Sequence, residues 1–201
     1  MKKTFQNFKR EVIDRSLEDI KVELDEEFDR NFERKAFFDK KWPERKYDNG
    51  KGSLLVRSGA LRRSISSLRG GAELVYSSDK PYARIHNEGG EIKVTKKMKK
   101  YFWAKYRETA GKYSYKDKTE TITTKRGKVK EKKVLKGTKE NESLSEEAEF
   151  YKAMALKKEG SRIVIPQRRF IGKHKETDRI IREITEQNIE EYFKKHKLFK
   201  Q

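Results

Sequence analysis

The sequence predicts an α+β protein in which a small antiparallel sheet is packed by long N-terminal and C-terminal helices, with a basic helix-and-hairpin insertion. Three observations support this class. Near both ends of the chain, apolar residues recur three or four positions apart, which is typical of amphipathic helices. Between them lie short runs with strand propensity, separated by glycine-containing turns. The lysine-rich stretch 96–160 interrupts this pattern, so we expect a single domain, 1–201, that carries the insertion within it.

Composition limits the kind of protein that this chain can be. Of 201 residues, 42% are charged, against about 25% in an average domain, so we expect a modest core and segments that project into solvent. The net charge of +19 indicates a polyanion or an acidic protein surface as partner, without distinguishing them. Cysteine is absent, which excludes disulfides and thiolate chemistry. We expect no signal peptide and no membrane partner, because the chain starts polar and lacks a long apolar run.

The first element is predicted to be a long helix over 5–39. Its narrow apolar stripe fits a helix that lies across a surface, and a coiled-coil or subunit contact is the alternative. The stripe consists of Ile13, Leu17, Ile20, Leu24, Phe28 and Phe32. Trp42 and Pro43 are expected to end the helix, because proline disfavours helical backbone in the residue before it. A helical turn within 60–67 then passes into a strand that pairs with 72–77 as a hairpin.

A turn region at 79–90 follows the hairpin. Tyr82, Ile85 and His86 share helical spacing, which predicts one helical turn that a glycine pair then ends. We interpret the region as a structural corner between strands, with Tyr82 and Ile85 packed inward and His86 holding the turn. The next strand is expected at 91–95.

The insertion is predicted to contain a helix, an arm and a second helix. Thr95 is expected to cap the first helix. The stretch 119–135 alternates weakly, so it forms either an exposed hairpin arm or a disordered segment. Ser143, with glutamate three residues later, matches a capping box and predicts the start of the second helix. Beyond the insertion we expect a strand at 162–166 and a final helix opened by Thr177.

Residues that carry chemistry are few and scattered. His86 and Glu88 lie two apart, but a metal site needs further ligands, and His174 and His196 are distant in the sequence. Ser58 lacks the flanking glycines of a nucleophile elbow. We therefore expect no enzyme, no catalytic or metal-binding residue and no cofactor.

Lysines interleave with aromatic residues early in the insertion and continue along the arm. This pattern favours a polyanion, because basic groups release counterions from phosphates and aromatic rings stack on bases. The same aromatic spacing is typical of core packing, and a solvated basic face or an acidic protein partner is the plainer interpretation. The candidate polyanion-binding residues are Lys96, Lys97, Lys99, Lys100, Lys125, Arg126, Lys128, Lys130, Lys132 and Lys133.

Four short blocks occur in a fixed order along the chain: Trp-Pro after the first helix, Leu-x-x-Ser-Gly-x-Leu-x-x-Ser-Ile, Tyr-Ala-x-Ile-His-x-x-Gly, and Ile-Pro-x-Arg-x-Phe-Ile-Gly. The residues that carry them are Trp42, Pro43, Gly59, Leu61, Tyr82, His86, Gly89, Pro166, Arg168, Phe170 and Gly172. Their order and spacing, over about 28–193, resemble the virion morphogenesis or tail-completion family of tailed bacteriophages, the Mu-like group. The family often has proline at the position of Arg169, and the resemblance does not extend to the insertion.

The resemblance implies a non-enzymatic structural protein of a tailed bacteriophage or prophage that acts in tail completion and head–tail joining. It implies a ring-shaped homo-oligomer at the head-proximal end of the tail, with tail and connector proteins as partners and DNA within reach. It also implies a location in the virion, and in the host cytoplasm during assembly. Arg168 is expected to pair with an acid or a carbonyl near the 82–90 turn. The alternative function is nucleic-acid binding, with DNA contacted through 96–136.

Overall fold

A computed structural model of the chain describes residues 6–45, 52–124 and 127–196. In chain order the elements are α1 (Arg15–Arg34), β1 (Ala36–Phe37), β2 (Lys40–Lys41), β3 (Ile65–Gly70), β4 (Glu73–Ser78), α2 (Ala83–Glu88), β5 (Gly90–Lys93), α3 (Lys96–Ala110), β6 (Tyr115–Thr123), β7 (Val129–Leu135), α4 (Lys139–Leu156), β8 (Arg162–Ile165) and α5 (Lys175–Lys195). The predicted α+β class is confirmed. Within the described ranges the strands form four two-stranded pairs, β1–β2, β3–β4, β5–β8 and β6–β7, and not one sheet.

The chain divides into two compact units. The first unit contains Met1–Glu44, Gly52–Gly90 and Ile165–Gln201. The second contains Arg45–Lys51 and Glu91–Val164. No helix among the described residues is long and apolar enough to cross a membrane.

Helix α1 buries four of the six residues of the predicted stripe but ends earlier than predicted. A π-helical segment, Lys9–Asp14, precedes it, and Ile20, Leu24, Phe28 and Phe32 are buried along it. The helix stops at Arg34, well before Trp42 and Pro43.

A left-handed residue explains this early end. Lys35 has φ 54°, and its N–H donates to the Asn31 carbonyl. The next residues form the β1–β2 pair, with Phe37 opposite Lys40. Phe37 is buried in the core beside Phe28, so tertiary packing of this aromatic residue outweighs the helix propensity of the segment.

The β3–β4 hairpin and the short helix α2 confirm two predictions. A 3₁₀ turn, Arg62–Ser64, leads into β3, and β3 pairs with β4 in an antiparallel register that places Leu68 opposite Val75. The turn lies at Gly71 and Ala72.

Helix α5 packs against α1 and closes the first unit. Its N-cap is His174, whose ring Nδ1 accepts from Glu176 N–H at 3.2 Å, while Thr177 Oγ1 accepts from His174 N–H at 2.9 Å. Thr177 is therefore the third helical residue and not the cap. Between the two helices, Asn188 Nδ2 donates to Ser16 Oγ at 3.2 Å.

In the second unit, α3 and α4 pack together and carry the β6–β7 hairpin. Thr95 Oγ1 accepts from Met98 N–H and caps α3, as predicted. For 119–135 the sequence predicted either an exposed hairpin arm or a disordered segment, and the structure contains the hairpin. The predicted start of α4 at Ser143 is wrong, because Thr138 caps it and Ser143 lies inside the helix.

Candidate functional site

The loop 166–172, between β8 and α5, contains the most deeply buried aromatic side chain of the first unit. Phe170 has no exposed surface. Its ring lies 5.2 Å from that of Phe32, and both belong to one core cluster with Trp42, Leu61 and Ala83. We refer to Phe170 and the four polar side chains that tie its loop to the rest of the first unit, Asn31, Trp42, Asn87 and Arg168, as the Phe170 node.

Two asparagine side chains bind the backbone of Phe170. Asn87 Oδ1 accepts from the N–H of Phe170 at 2.9 Å and from the N–H of Ile171 at 3.2 Å. Asn31 Nδ2 donates to the Phe170 carbonyl at 3.2 Å, while Asn31 Oδ1 accepts from Phe38 N–H at 2.9 Å. Buried backbone groups need such partners, so these amides allow a non-helical loop to pass through the core.

Trp42 adds a further bond to the same loop. Its indole Nε1 donates to the Arg169 carbonyl at 2.6 Å, and its ring packs edge-on against Phe32 at 5.6 Å. The two partners of the first bond are 127 positions apart in the sequence. Trp42 thus fixes the segment after α1 against the loop before α5.

Arg168 connects three segments of the first unit. It is 7% exposed, and its Nε donates to the Pro43 carbonyl at 2.8 Å while Nη2 donates to the Glu44 carbonyl at 3.1 Å. Its own backbone N–H donates to the His86 carbonyl at 2.8 Å. The guanidinium therefore binds carbonyls of the segment after α1, whereas the contact with the 82–90 turn is made by the backbone N–H.

His86 holds the loop through its backbone and not through its ring. The ring packs edge-on against Tyr82 at 6.1 Å, and Nδ1 is buried with no hydrogen-bond partner among the described residues. Burial lowers the pKa of the His86 imidazole, and the positive charge of Arg168 lowers it further. Contrary to prediction, Tyr82 does not pack inward: it is 42% exposed, and Ala83 occupies the core instead.

Gly89 allows the α2 corner to lie directly against the loop. Its φ is +76°, and a Cβ at this position would stand 3.0 Å from the backbone nitrogen of Gln167. Such a contact is tighter than almost all Cβ contacts, and the left-handed backbone adds strain. The close approach of the loop therefore favours glycine at this position in addition to the turn.

The structure brings most of the block residues together in the first unit. Trp42, Pro43, Leu61, His86, Gly89, Arg168 and Phe170 either belong to the loop 166–172 or contact it. Pro166 directly follows β8, Gly172 ends the loop, and Gly59 lies buried two residues before Leu61. Sequence reasoning missed Asn31 and Asn87.

The candidate polyanion-binding residues lie on two elements of the second unit. Lys96, Lys97, Lys99 and Lys100 occupy the first turns of α3, whereas Lys130, Lys132 and Lys133 lie on β7, with Lys128 just before it. Lys125 and Arg126 lie outside the described residues.

One aromatic residue of α3 packs against α4. Phe102 lies 6.2 Å from Phe150 and 6.3 Å from Tyr151. Tyr101, at 54%, is the most exposed of the α3 aromatic residues. Phe102 therefore contributes to packing between the two helices, whereas the Tyr101 ring is accessible to solvent.

An open, mainly apolar groove of about 670 Å³ lies in the first unit. Its walls come from α1, β4, α2 and α5, with Leu17, Leu74 and Ile181 among the lining residues. Within the described ranges, no group of three His, Asp or Glu side chains is placed to hold a metal ion.

Comparison with known proteins found no match, so the function is inferred from the sequence and the geometry of this chain. No family model matches the chain, and no curated protein or solved structure matches it significantly.

Proposed function

We propose that the chain is a structural assembly protein of a tailed bacteriophage or prophage, which acts in tail completion and head–tail joining as a ring component of the virion. The observation that supports this proposal is the Phe170 node. Residues of four blocks that are far apart in sequence, and whose order resembles the tail-completion family, interlock around one loop.

The chemistry of the node suits a structural role. The Arg168 guanidinium, the Trp42 indole and the amides of Asn31 and Asn87 all bind backbone groups. Polar side chains engaged in this way fix the path of the chain. A subunit that must present several surfaces to different neighbours needs such a rigid frame, because ring contacts repeat one geometry until the rotation closes.

Exposed apolar residues of the first unit supply surface for contacts between copies. Leu68 and Val75 face each other across the β3–β4 hairpin and are 66% and 52% exposed. Adjacent apolar side chains that remain in water mark interaction surfaces more often than isolated ones do.

The biological test is removal of the gene from the phage or prophage that encodes it. We expect heads and tails to accumulate unjoined, visible by electron microscopy of the lysate. Normal virions in the absence of the gene would overturn the proposal.

The ring is tested with the purified chain at high concentration by negative-stain microscopy and analytical ultracentrifugation. We expect rings, and we expect Leu68→Ser with Val75→Ser to dissolve them while the circular dichroism spectrum is unchanged. Val22→Ser with Leu156→Ser is the matched control, because these residues are 65% and 61% exposed and the same two side-chain types are removed. A chain that is monomeric at all concentrations contradicts the ring.

A further inference from the structure

The β6–β7 hairpin is held at its base and exposed along its length. Asn141, itself buried at 4% exposure, accepts from Ser114 N–H at 3.0 Å and donates to the carbonyls of Ser114 and Lys136 at 2.7 Å each. These two residues flank the hairpin, so one side chain of α4 fixes both of its ends. By contrast, every described residue of β6 is exposed, as are all of β7 except Val134.

A two-stranded hairpin without a partner is only marginally stable in water. Here neither face packs on a core, and Val129 is 67% exposed. A hairpin that is anchored at its base and uncovered elsewhere is suited to present its faces to another molecule.

Positive charge is concentrated in the unit that carries this hairpin. The second unit contains 25 Lys and Arg against 12 Asp and Glu, a net +13 of the total +19. In the first unit, many arginines are neutralised internally: Arg62 binds Asp29 and Glu33, and Arg69 binds Asp14 and Glu18. An approaching polyanion is therefore attracted mainly to the second unit.

The register places Lys130 and Lys132 on the same face of the hairpin, opposite Ile122 and Glu120 respectively. Glu120 is the acidic residue that faces them, yet no ion pair of either lysine occurs among the described residues. On the other face, Lys133 lies 5.9 Å from the ring centre of Tyr115. The face with Lys130 and Lys132 thus carries uncompensated charge.

We propose that this face of the β6–β7 hairpin binds the phosphate backbone of duplex DNA. Residues two apart on a strand are separated by about 6.8 Å, and phosphates of one DNA strand advance about 3.4 Å along the duplex axis. Successive phosphates also wind around the axis, so their distance in space exceeds this rise, and Lys130 and Lys132 are spaced to contact two neighbouring phosphates of one strand. A two-stranded β-ribbon also fits the width of the major groove.

The same observations disfavour single-stranded nucleic acid at this face. Single strands are bound by exposed aromatic rings, but the described residues of the face with Lys130 and Lys132 include no aromatic ring, since Tyr115 lies on the other face beside Lys133. The proposal rests on the hairpin alone and is independent of the assembly function.

The test is fluorescence anisotropy of the full chain with a labelled 25-base-pair duplex between 50 and 200 mM NaCl. Lys130→Gln with Lys132→Gln removes two phosphate contacts, so the slope of log K against log salt should become shallower by about 1.8. Over this fourfold range of salt, the wild type should lose about twelvefold more affinity than the variant. Lys130→Arg with Lys132→Arg should retain the wild-type slope.

The matched control is Lys152→Gln with Lys158→Gln, which removes the same charge from exposed positions outside the hairpin and should leave the slope unchanged. An unchanged slope in the hairpin variant, or equal losses in both double variants, overturns the proposal. Tighter binding to a single strand of the same length also overturns it. Self-association that is lost in the hairpin variant, with duplex binding unaffected, would assign this face to a second copy of the chain instead.

Discussion

Asn87 offers the sharpest test of the Phe170 node, because one oxygen atom of its side chain binds two backbone donors. The change is Asn87→Ala. It leaves the N–H groups of Phe170 and Ile171 without their acceptor, and Phe170 is fully buried, so water does not readily replace the oxygen. An unpaired buried donor costs about 1–3 kcal/mol. For two donors in this setting we expect a loss of about 3 kcal/mol in the free energy of unfolding.

The assay is urea unfolding followed by tryptophan fluorescence. The chain contains two tryptophans, and Trp103→Phe leaves Trp42, which lies in the node, as the reporter. With a dependence of about 2 kcal/mol per molar urea, a loss of 3 kcal/mol lowers the midpoint by about 1.5 M. Unchanged transition steepness would show that stability, and not the compactness of the denatured state, has changed.

Two further variants separate the hydrogen bonds from other effects. Asn87→Asp keeps an oxygen acceptor, so it should be clearly more stable than Asn87→Ala. Asn7→Ala alters an exposed asparagine and should change stability by less than about 0.5 kcal/mol. Equal losses in the alanine and aspartate variants, or a loss below 0.5 kcal/mol in Asn87→Ala, would refute the reasoning.

Two further predictions concern the α2 corner. Gly89→Ala should lower the urea midpoint more than Gly71→Ala does. Both glycines have positive φ, but a Cβ at Gly89 meets Gln167 at 3.0 Å, whereas one at Gly71 meets nothing within 4 Å. Equal losses would mean that only backbone strain matters. The pKa of His86 is lowered in the folded protein, so the unfolded chain binds more protons as pH drops from about 6.5, and folding stability falls. His86→Gln should flatten this part of the plot of stability against pH. An unaltered plot would contradict the buried neutral ring.

The sequence was sufficient for elements that are determined locally. The apolar stripe of α1, the Thr95 cap and the β3–β4 alternation are short-range patterns, and each is found where it was predicted. The β6–β7 hairpin was one of two alternatives, because weak alternation and high polarity are shared by exposed strands and disordered segments.

The ends of the helices and the contacts between distant residues could not be predicted from local patterns. The end of α1 depends on Phe37 entering the core beside Phe28, and no local signal replaces that contact. The Ser143 capping box was misleading, because a helix-starting motif inside a longer helix has the same sequence signature. Tyr82 was placed inward, but Ala83 lies in the core cluster instead and Tyr82 is 42% exposed.

Asn31 has a sequence signal that it shares with two other buried polar residues, Ser16 and Asn188. Asn31 lies three residues after Phe28 and next to Phe32, so it falls within the apolar stripe of a helix whose other faces are charged. Ser16 and Asn188 occupy equivalent positions, four residues from Ile20 and Ile184. All three polar residues are buried.

Their partners explain why such residues are uncharged. Asn31 satisfies the backbone of a loop that crosses the core, while Asn188 donates to Ser16 across the α1–α5 contact. A charged side chain in these places would lose its hydration without full compensation, whereas an amide or hydroxyl can be paired completely. An uncharged polar residue on an apolar stripe therefore indicates where a distant segment of the chain is held, and in this protein Asn31 marks the segment that contains Phe170.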